Sequence, residues 1–216
     1  RIALDYPGKF VRLCIESDGR EIWRSFTVSS SPQRREQIDL TIKLNPEGTV
    51  SRHLFAHARP GVEFKLRGPH GGFYFDPERH VEPLLLVSAG SGITPMMSIV
   101  RSMKDRGIDL PCAFVYGART AADIVFHQEC NRLAAESPWL SYHVSLSRPD
   151  ASWQGACGRL SVERLHALVG ELASRRCFLC GPNEFMDAIG EGLRLAGVAP
   201  ERIHTEQFHA AKLARA

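Results

Sequence analysis

No apolar run in this chain approaches the ~18–20 residues that a membrane-crossing helix needs, so no segment reads as a transmembrane helix. Charge of one sign is also scarce. The net charge of +3 over 216 residues is too small to argue for a nucleic-acid partner. A signal-peptide pattern is missing, and the sequence opens on Arg1, which leaves a natural start further upstream open. The C-x4-C-x2-C run of a plant-type iron–sulfur site does not occur. The histidines form no H-E-x-x-H or comparable ligand set, and neither a G-x-S-x-G elbow nor a paired-carboxylate signature is present. No metal site of the chain's own is therefore expected, nor hydrolase chemistry. The cysteines, at 14, 112, 130, 157, 177 and 180, are scattered rather than arranged as a small disulfide framework, which points to reduced thiols in a cytoplasm.

What is present is organised around residues 84–100, LLLVSAGSGITPMMSIV. Leu84, Leu85, Leu86 and Val87 show no alternation, as suits a parallel strand buried on both faces. Gly90-Ser91-Gly92 is small enough for a tight turn and for close approach of a ligand to the backbone. Thr94-Pro95 then opens a helix, with Pro95 in its first turn and Met96, Val100 and Met103 on one stripe. A helix N-terminus after a glycine turn favours a phosphate, although a bare strand-to-helix turn explains the same residues.

The first third alternates with period two at 10–15, 38–44 and 62–66, cut by Pro7-Gly8, Asp18-Gly19, Pro46-Glu47-Gly48 and Pro60-Gly61. This pattern predicts antiparallel strands in a small barrel or sandwich, with a short helix near 51–58. Arg24-Ser25-Phe26-Thr27 sets a cation and an aromatic on one face of an extended segment; a solvated arginine beside a core phenylalanine accounts for it equally. Gly48-Thr49-Val50-Ser51 places Ser51 either to bind an anion or simply to cap the helix. Gly68 to Phe73 reads as a glycine-rich loop.

After 84–100 come short apolar strands at 112–116, 142–146 and 177–179, separated by helical stripes through Phe126, Cys130 and Leu133, then Leu165, Leu168 and Leu172 with Ser161 as N-cap, then Phe185, Ile189 and Leu193. Such alternation predicts a parallel sheet, whose ligands sit beyond the carboxyl ends of the strands. Gly90–Pro95, Gly117–Arg119, Ser147-Arg148 and Cys180–Pro182 all fall at those ends. Cys177 and Cys180 sit three apart in a strand and should face opposite sides, so a dithiol or shared metal is not expected. The charged, proline-flanked segment 76–83 reads as the domain boundary.

Arg24-Ser25-Phe26-Thr27, Gly48-Thr49-Val50-Ser51, the run from Gly90 to Pro95, Tyr116-Gly117-Ala118-Arg119 and Cys180-Gly181-Pro182 occur in this order. In them the chain resembles the ferredoxin–NADP reductase superfamily, in particular the NAD(P)H-dependent reductase components of bacterial oxygenases and the flavohaemoglobins. The likeness runs from about Tyr6 to Phe208. It implies two domains: a flavin-binding antiparallel β-barrel over 1–78, then an α/β parallel-sheet nicotinamide-binding domain over 79–208, with 209–216 a tail or linker carrying Lys212 and Arg215. By resemblance, Arg24 meets the flavin phosphates, Phe26 packs on the flavin, Thr27 bonds the ring edge, Thr41 and Lys43 line the ring, and Gly48, Thr49, Val50 and Ser51 bind phosphate. Gly90, Ser91, Gly92, Thr94 and Pro95 would hold the nicotinamide-cofactor pyrophosphate, with Arg119, Ser147, Arg148, Gly181 and Pro182 along the same edge. Cys180 would place a thiol near the nicotinamide ring, and Glu206 and Phe208 stand where members carry an acid and an aromatic near the flavin. Cys180, Thr27 and Phe208 form the implied catalytic set. The cofactors implied are FAD, with FMN the alternative, and NADH, with NADPH the alternative. The implied partner is a one-electron acceptor, a [2Fe–2S] ferredoxin domain or an oxygenase component.

Two departures qualify the likeness. Phe26 stands where tyrosine is common, which keeps the stacking and loses a hydroxyl. Members also have about two further strands ahead of Pro7-Gly8, so the expectation is that the natural chain is longer or that those residues are disordered or removed. The activity implied is hydride transfer from NAD(P)H to flavin, then single electrons to an iron–sulfur or haem partner. A nicotinamide-binding module without flavin, or an electron-transfer subunit not itself reduced by NAD(P)H, remains the alternative.

Overall fold

The computed structural model describes residues 3–208, so the 209–216 tail lies outside the described residues. The chain divides into two compact units: residues up to His80 together with Thr94–Ile108, and Val81–Ile93 together with residues from Asp109 on.

In the first unit, β1 (Phe10–Ser17) and β2 (Arg20–Thr27) form a hairpin paired from Phe10↔Thr27 to Ser17↔Arg20. Its two-residue loop is Asp18-Gly19, both at positive φ (53° and 70°), the geometry whose twist matches that of paired strands. After α1 (Thr49–His57), β3 (Lys65–His70) pairs with the other edge of β1, giving an antiparallel sheet in the order β2-β1-β3. Leu13 and Ile15 of the sheet pack with Val50 and Leu54 of α1, and Ile22, Phe26, Leu40, Ile42, Phe64 and Leu66 close over them.

The antiparallel sheet stands where the sequence put it, with three paired strands among the described residues. The strand expected at 38–44 differs: only Leu40 pairs, in an isolated bridge to Val28. Leu40 and Ile42 still pack on the core, so the alternation reported burial without a hydrogen-bonded ladder. Val62 is exposed rather than inward-facing, and the glycine-rich stretch from Gly68 is strand as far as His70.

Helix α2 (Ile93–Arg106) follows the glycine turn, and from Thr94 on it belongs to the first unit. Met96, Val100 and Met103 are buried as their stripe requires, but so are Ser98 and Ser102. Ser98 Oγ donates to the Ser30 carbonyl (2.9 Å) and accepts from the Gly8 N–H (3.3 Å). Arg101 Nη1 donates to the Ser29 carbonyl (2.7 Å), and Ser102 Oγ to Gln33 Oε1 (2.9 Å). Each buried polar atom on that side of the helix thus has a partner in residues 8–33, as burial demands.

In the second unit, β4 (Leu84–Ala89), β5 (Cys112–Ala118), β6 (Leu140–Leu146), β7 (Ala156–Cys157), β8 (Arg176–Gly181) and β9 (Ile203–Gln207) make a parallel sheet in the order β7-β6-β5-β4-β8-β9. Helices α3 (His127–Glu136), α4 (Val162–Val169) and α5 (Asn183–Leu195) connect the strands. Ser161 caps α4, its side chain accepting from the Arg164 N–H, and Gly197 at φ 87° follows α5. Leu85, Val87, Ala113, Val115, Cys177 and Leu179 form one face and pack with Leu165, Ile189 and Leu193. Leu84, Leu86, Phe114, Tyr116, Phe178 and Cys180 point to the other face and are fully buried too. Burial of β4 on both faces explains its uninterrupted apolar sequence; each of its leucines contributes roughly 1.5–3 kcal/mol by leaving water. Two strands went unread. β7 has two residues, and β9, sequence IHTEQ, is a half-exposed edge strand without an apolar pattern.

At the amino-terminal edge of this sheet, Arg176 grips Glu82 through Nε (2.9 Å) and Nη2 (3.0 Å), with Arg202 Nε at 3.4 Å. Arg176 Nη1 also reaches His204 Nε2 (3.0 Å), whose ring stacks on Phe178. The Arg176 hydrogen bonds hold the Glu82 carboxyl at about 2, below its ordinary 4.5, against the opposing effect of burial. A carboxyl with a depressed folded-state pKa contributes stability that is complete above pH 4.5 and is lost as the pH falls toward 2. Glu82→Gln is expected to cost on the order of 2 kcal/mol near neutral pH, allowing for partial exposure of the pair. Urea unfolding checks this: the gap between variant and parent should narrow steadily on acidification below pH 4.5, and a gap independent of pH would refute it.

Candidate functional site

Within the first unit, strand alternation sends Arg24 and Phe26 to one face of β2, opposite Leu13 and Val11 of β1. That is the face α1 covers, because Phe26 and Val50 join the same cluster. Arg24 is half-buried; its Nη1 donates to the Trp23 carbonyl (2.8 Å), and it has no ion pair among the described residues. Thr27 ends β2 and is buried, and its Oγ1 has no hydrogen-bond partner among the described residues. A buried hydroxyl without a partner is costly in a finished fold, which is what a missing ligand atom would repay.

Helix α1 begins at Thr49 with Gly48 as N-cap, no side-chain cap and no acid in its first turn. Ser51 is not the cap. It lies inside the helix, where Oγ accepts from the Asn45 N–H (3.1 Å) and can donate to the carbonyl of Asn45 (3.1 Å) or Gly48 (3.3 Å). Its hydroxyl thereby shapes the turn that leads into the helix. The Thr41 hydroxyl lies 3.0 Å from that of Ser29, and Lys43 is exposed.

In the second unit the strand order reverses between β4 and β8, the switch point where a crevice opens in such sheets. Gly90–Gly92 follows β4 as a single 3-10 turn, and Cys180-Gly181-Pro182 ends β8 beside it. The approach is tight. A Cβ on Gly92 would stand 2.1 Å from the Cys180 carbonyl oxygen, and one on Gly181 would stand 2.7 Å from the Phe185 ring. Ser88 pairs in register with both Tyr116 and Cys180, and Cys180 with Glu206, so these four side chains share one face near the carboxyl edge. The Ser88 Oγ is buried with no hydrogen-bond partner among the described residues. Burial, and secondly the charge of Glu206, push the Cys180 thiol well up, so it stays a neutral thiol rather than a nucleophile. Cys177 faces the α4–α5 side, away from Cys180, and both are free.

Arg119 and Arg148 are exposed on neighbouring loops, the Arg148 N–H donating to the Arg119 carbonyl (2.8 Å), while the Ser147 N–H donates to the Ala118 carbonyl (3.0 Å). Pro182 is the N-cap of α5, and Phe208 follows β9 with 40% of its surface exposed. Among the described residues no group of three or more His, Cys, Asp and Glu could hold a metal ion, and no helix is long and apolar enough to cross a membrane.

Over 208 residues the chain is 30% identical to ferredoxin–NADP reductase B of Sorangium cellulosum, an alignment that covers 93% of this chain and 84% of that protein. The chain belongs to the ferredoxin–NADP reductase superfamily. The superfamily's two domains are both matched: residues 2–75 fit the oxidoreductase FAD-binding domain and residues 86–191 the oxidoreductase NAD-binding domain. The chain is also 35% identical over 207 residues to the glycine betaine monooxygenase reductase subunit of Chromohalobacter salexigens, covering 94% of this chain and 56% of that one. It thus spans little more than half the length of that curated relative. Its fold is shared with the cytochrome b5 reductase domain of Ulva prolifera nitrate reductase, with a TM-score of 0.84 at 22% identity, covering 94% of this chain and 86% of that one.

The residues present fit the groups these domains take. An arginine without an ion pair and an orphaned Thr27 hydroxyl suit a flavin with phosphates; a glycine turn at the switch point suits a dinucleotide. Sequence reasoning gave no role to Tyr116 or Ser88. Tyr116 is legible as the first residue of the Tyr116-Gly117-Ala118-Arg119 cluster at the end of an apolar strand, but nothing in the sequence marks where its hydroxyl goes.

Proposed function

We propose that this chain is an NAD(P)H-dependent flavoprotein reductase, or the reductase part of a longer one, that takes hydride from NADH into FAD and delivers single electrons to a [2Fe–2S] ferredoxin or oxygenase component. The observation that carries the reading is the glycine turn at the β4/β8 switch point, packed so closely on Cys180 that only glycine fits at 92, in a chain whose other unit belongs to a FAD-binding domain.

Arg24 would fork onto the flavin phosphates, since a guanidinium pairs with phosphate oxygens in two parallel hydrogen bonds. Phe26 would pack on the ring, Thr27 would bond its edge, and Thr41 and Lys43 would line it. The start of α1 at Gly48 to Ser51 would face phosphate with its free peptide dipole end. Gly90 to Pro95 would hold the pyrophosphate of the nicotinamide cofactor, and Gly181 and Pro182 would leave room for its ring beside the neutral Cys180 thiol. Glu206 and Phe208 would complete the surroundings of the reacting rings. When bound, the flavin supplies the redox chemistry, accepting a hydride and releasing electrons one at a time. The protein supplies alignment, and holding two reactants at near-attack separation is worth several powers of ten in rate.

NADH is the preferred donor in this reading. Hydrogen bonds from the Ser152 hydroxyl and N–H hold the Asp150 carboxyl below its ordinary range. Asp150 therefore stays charged two residues from Arg148 and repels a 2′-phosphate. kcat/KM is expected to be several-fold higher for NADH than for NADPH, and Asp150→Asn should narrow the difference. A clear NADPH preference in the parent protein would show that Arg148 dominates.

The acceptor assignment draws on the relatives, one a monooxygenase reductase subunit and one a ferredoxin–NADP reductase. Mixing NADH, this protein and a [2Fe–2S] ferredoxin, with the cluster followed by EPR at varied salt, tests it. Cluster reduction is expected. Electrons that reach free flavin or a quinone but never the ferredoxin would contradict it.

A further inference from the structure

Tyr116 has no exposed surface, and its hydroxyl donates to the Gly90 carbonyl at 3.1 Å, with the Asp123 carbonyl further off at 3.4 Å. The Gly90 carbonyl also accepts from the Ile93 N–H at the end of the turn. Its oxygen is thus held from two sides and directed inward. Gly90 sits at φ 57° with nothing within 4 Å of a would-be Cβ, so the positive φ and not close contact favours glycine there. Gly92, clamped over Cys180, is fixed by contact; Gly90 is not.

A peptide unit is planar and trans, so its C=O and the next N–H point opposite ways. Holding the Gly90 oxygen inward sends the N–H of Ser91, an exposed residue, outward. Glycine tolerates the rotated alternative at little cost. That alternative would present a carbonyl oxygen, and its partial negative charge, where an N–H should meet an anion. Burial raises the Tyr116 hydroxyl to about 12, so it remains a donor throughout the neutral range.

We infer that Tyr116 is a positioning residue that locks the Gly90–Ser91 peptide with its N–H toward the dinucleotide pyrophosphate. The inference rests on the reading of Gly90–Pro95 as the pyrophosphate site. It separates two kinds of glycine in one turn. One is required by close contact; the other takes a positive φ, and a distant hydroxyl joins the Ile93 N–H in holding the peptide that follows it.

Tyr116→Phe keeps the ring that fills the core and removes the donor. Calorimetry with ADP-ribose, which carries the pyrophosphate without the nicotinamide, should give a Kd raised roughly fivefold to tenfold, the worth of one neutral hydrogen bond. KM for NADH should rise by a similar factor while kcat at saturation stays close to the parent value. A purely structural role would lower the melting temperature and leave the Kd of the folded protein unchanged, which would overturn the inference. A second measurement needs no variant: hydrogen exchange at the Ser91 amide of the parent protein should slow when ADP-ribose is added, and an unchanged rate would overturn the inference as well. If the parent protein binds neither ADP-ribose nor NADH, the pyrophosphate reading falls and takes the inference with it. If the parent binds and the variant binds equally well, only the role of Tyr116 falls.

Discussion

Gly92→Ala should lose more than ~3 kcal/mol of stability, at or beyond the upper end of ordinary overpacking. The added methyl would stand 2.1 Å from the Cys180 oxygen, 2.4 Å from the Cys180 carbonyl carbon and 2.8 Å from the Gly181 nitrogen. All three are backbone atoms of a central strand, so no side chain can rotate away. Relief requires β4 and β8 to part at their carboxyl ends, which opens the switch point itself. A fall in melting temperature of more than about 6 °C is expected for a chain of this size, together with loss of ADP-ribose binding in whatever remains folded. Differential scanning calorimetry and isothermal titration measure the two effects. A variant that melts with the parent and binds like it would show that the turn does not sit on Cys180.

Arg24→Ala should lower flavin affinity at least about tenfold, because a hydrogen bond to a charged group is worth roughly 1.5–3 kcal/mol. Arg24 lies half-buried on the sheet face that α1 covers, donating to the Trp23 carbonyl and to no carboxylate among the described residues. A guanidinium so placed has most of its donors left for an anion. Removing it should leave the melting temperature of the flavin-free protein nearly unchanged, since no ion pair is broken. Flavin occupancy of the purified variant, read from its absorbance, is the check. Full occupancy would return Arg24 to the role of a solvated arginine beside a core phenylalanine.

Much of this architecture can be read without coordinates, for identifiable reasons. Residues 84–87 are apolar without alternation because β4 is central and buried on both sides. Asp18-Gly19 marks a hairpin because two successive residues must take positive φ there. The glycines at 90 and 92 draw attention because side chains are excluded at one and strained at the other. The unread parts fail for equally physical reasons. Residues 38–44 alternate because two of them pack on the core, yet only one residue finds a ladder partner. β9 is an edge strand with exposed positions, so nothing forces an apolar pattern on it. Helix α2 shows a stripe of methionine and valine, but the serines that tie it to residues 8–33 look like any solvated serine until the fold brings acceptors to them. The Tyr116–Gly90 bond joins residues 26 apart in sequence across two parallel strands, a pairing only the sheet order reveals. The motif residues were legible as a set of five clusters; the backbone bond that sets one of them was not.

The most direct test of the central claim is the visible absorption spectrum of the purified protein, recorded without oxygen before and after addition of NADH. A protein that binds FAD and is reduced by NADH should show the yellow flavin bands at the start and lose them promptly on mixing. A protein that holds flavin yet keeps its bands in the presence of NADH, or one that takes up no flavin when FAD is supplied, would contradict the account.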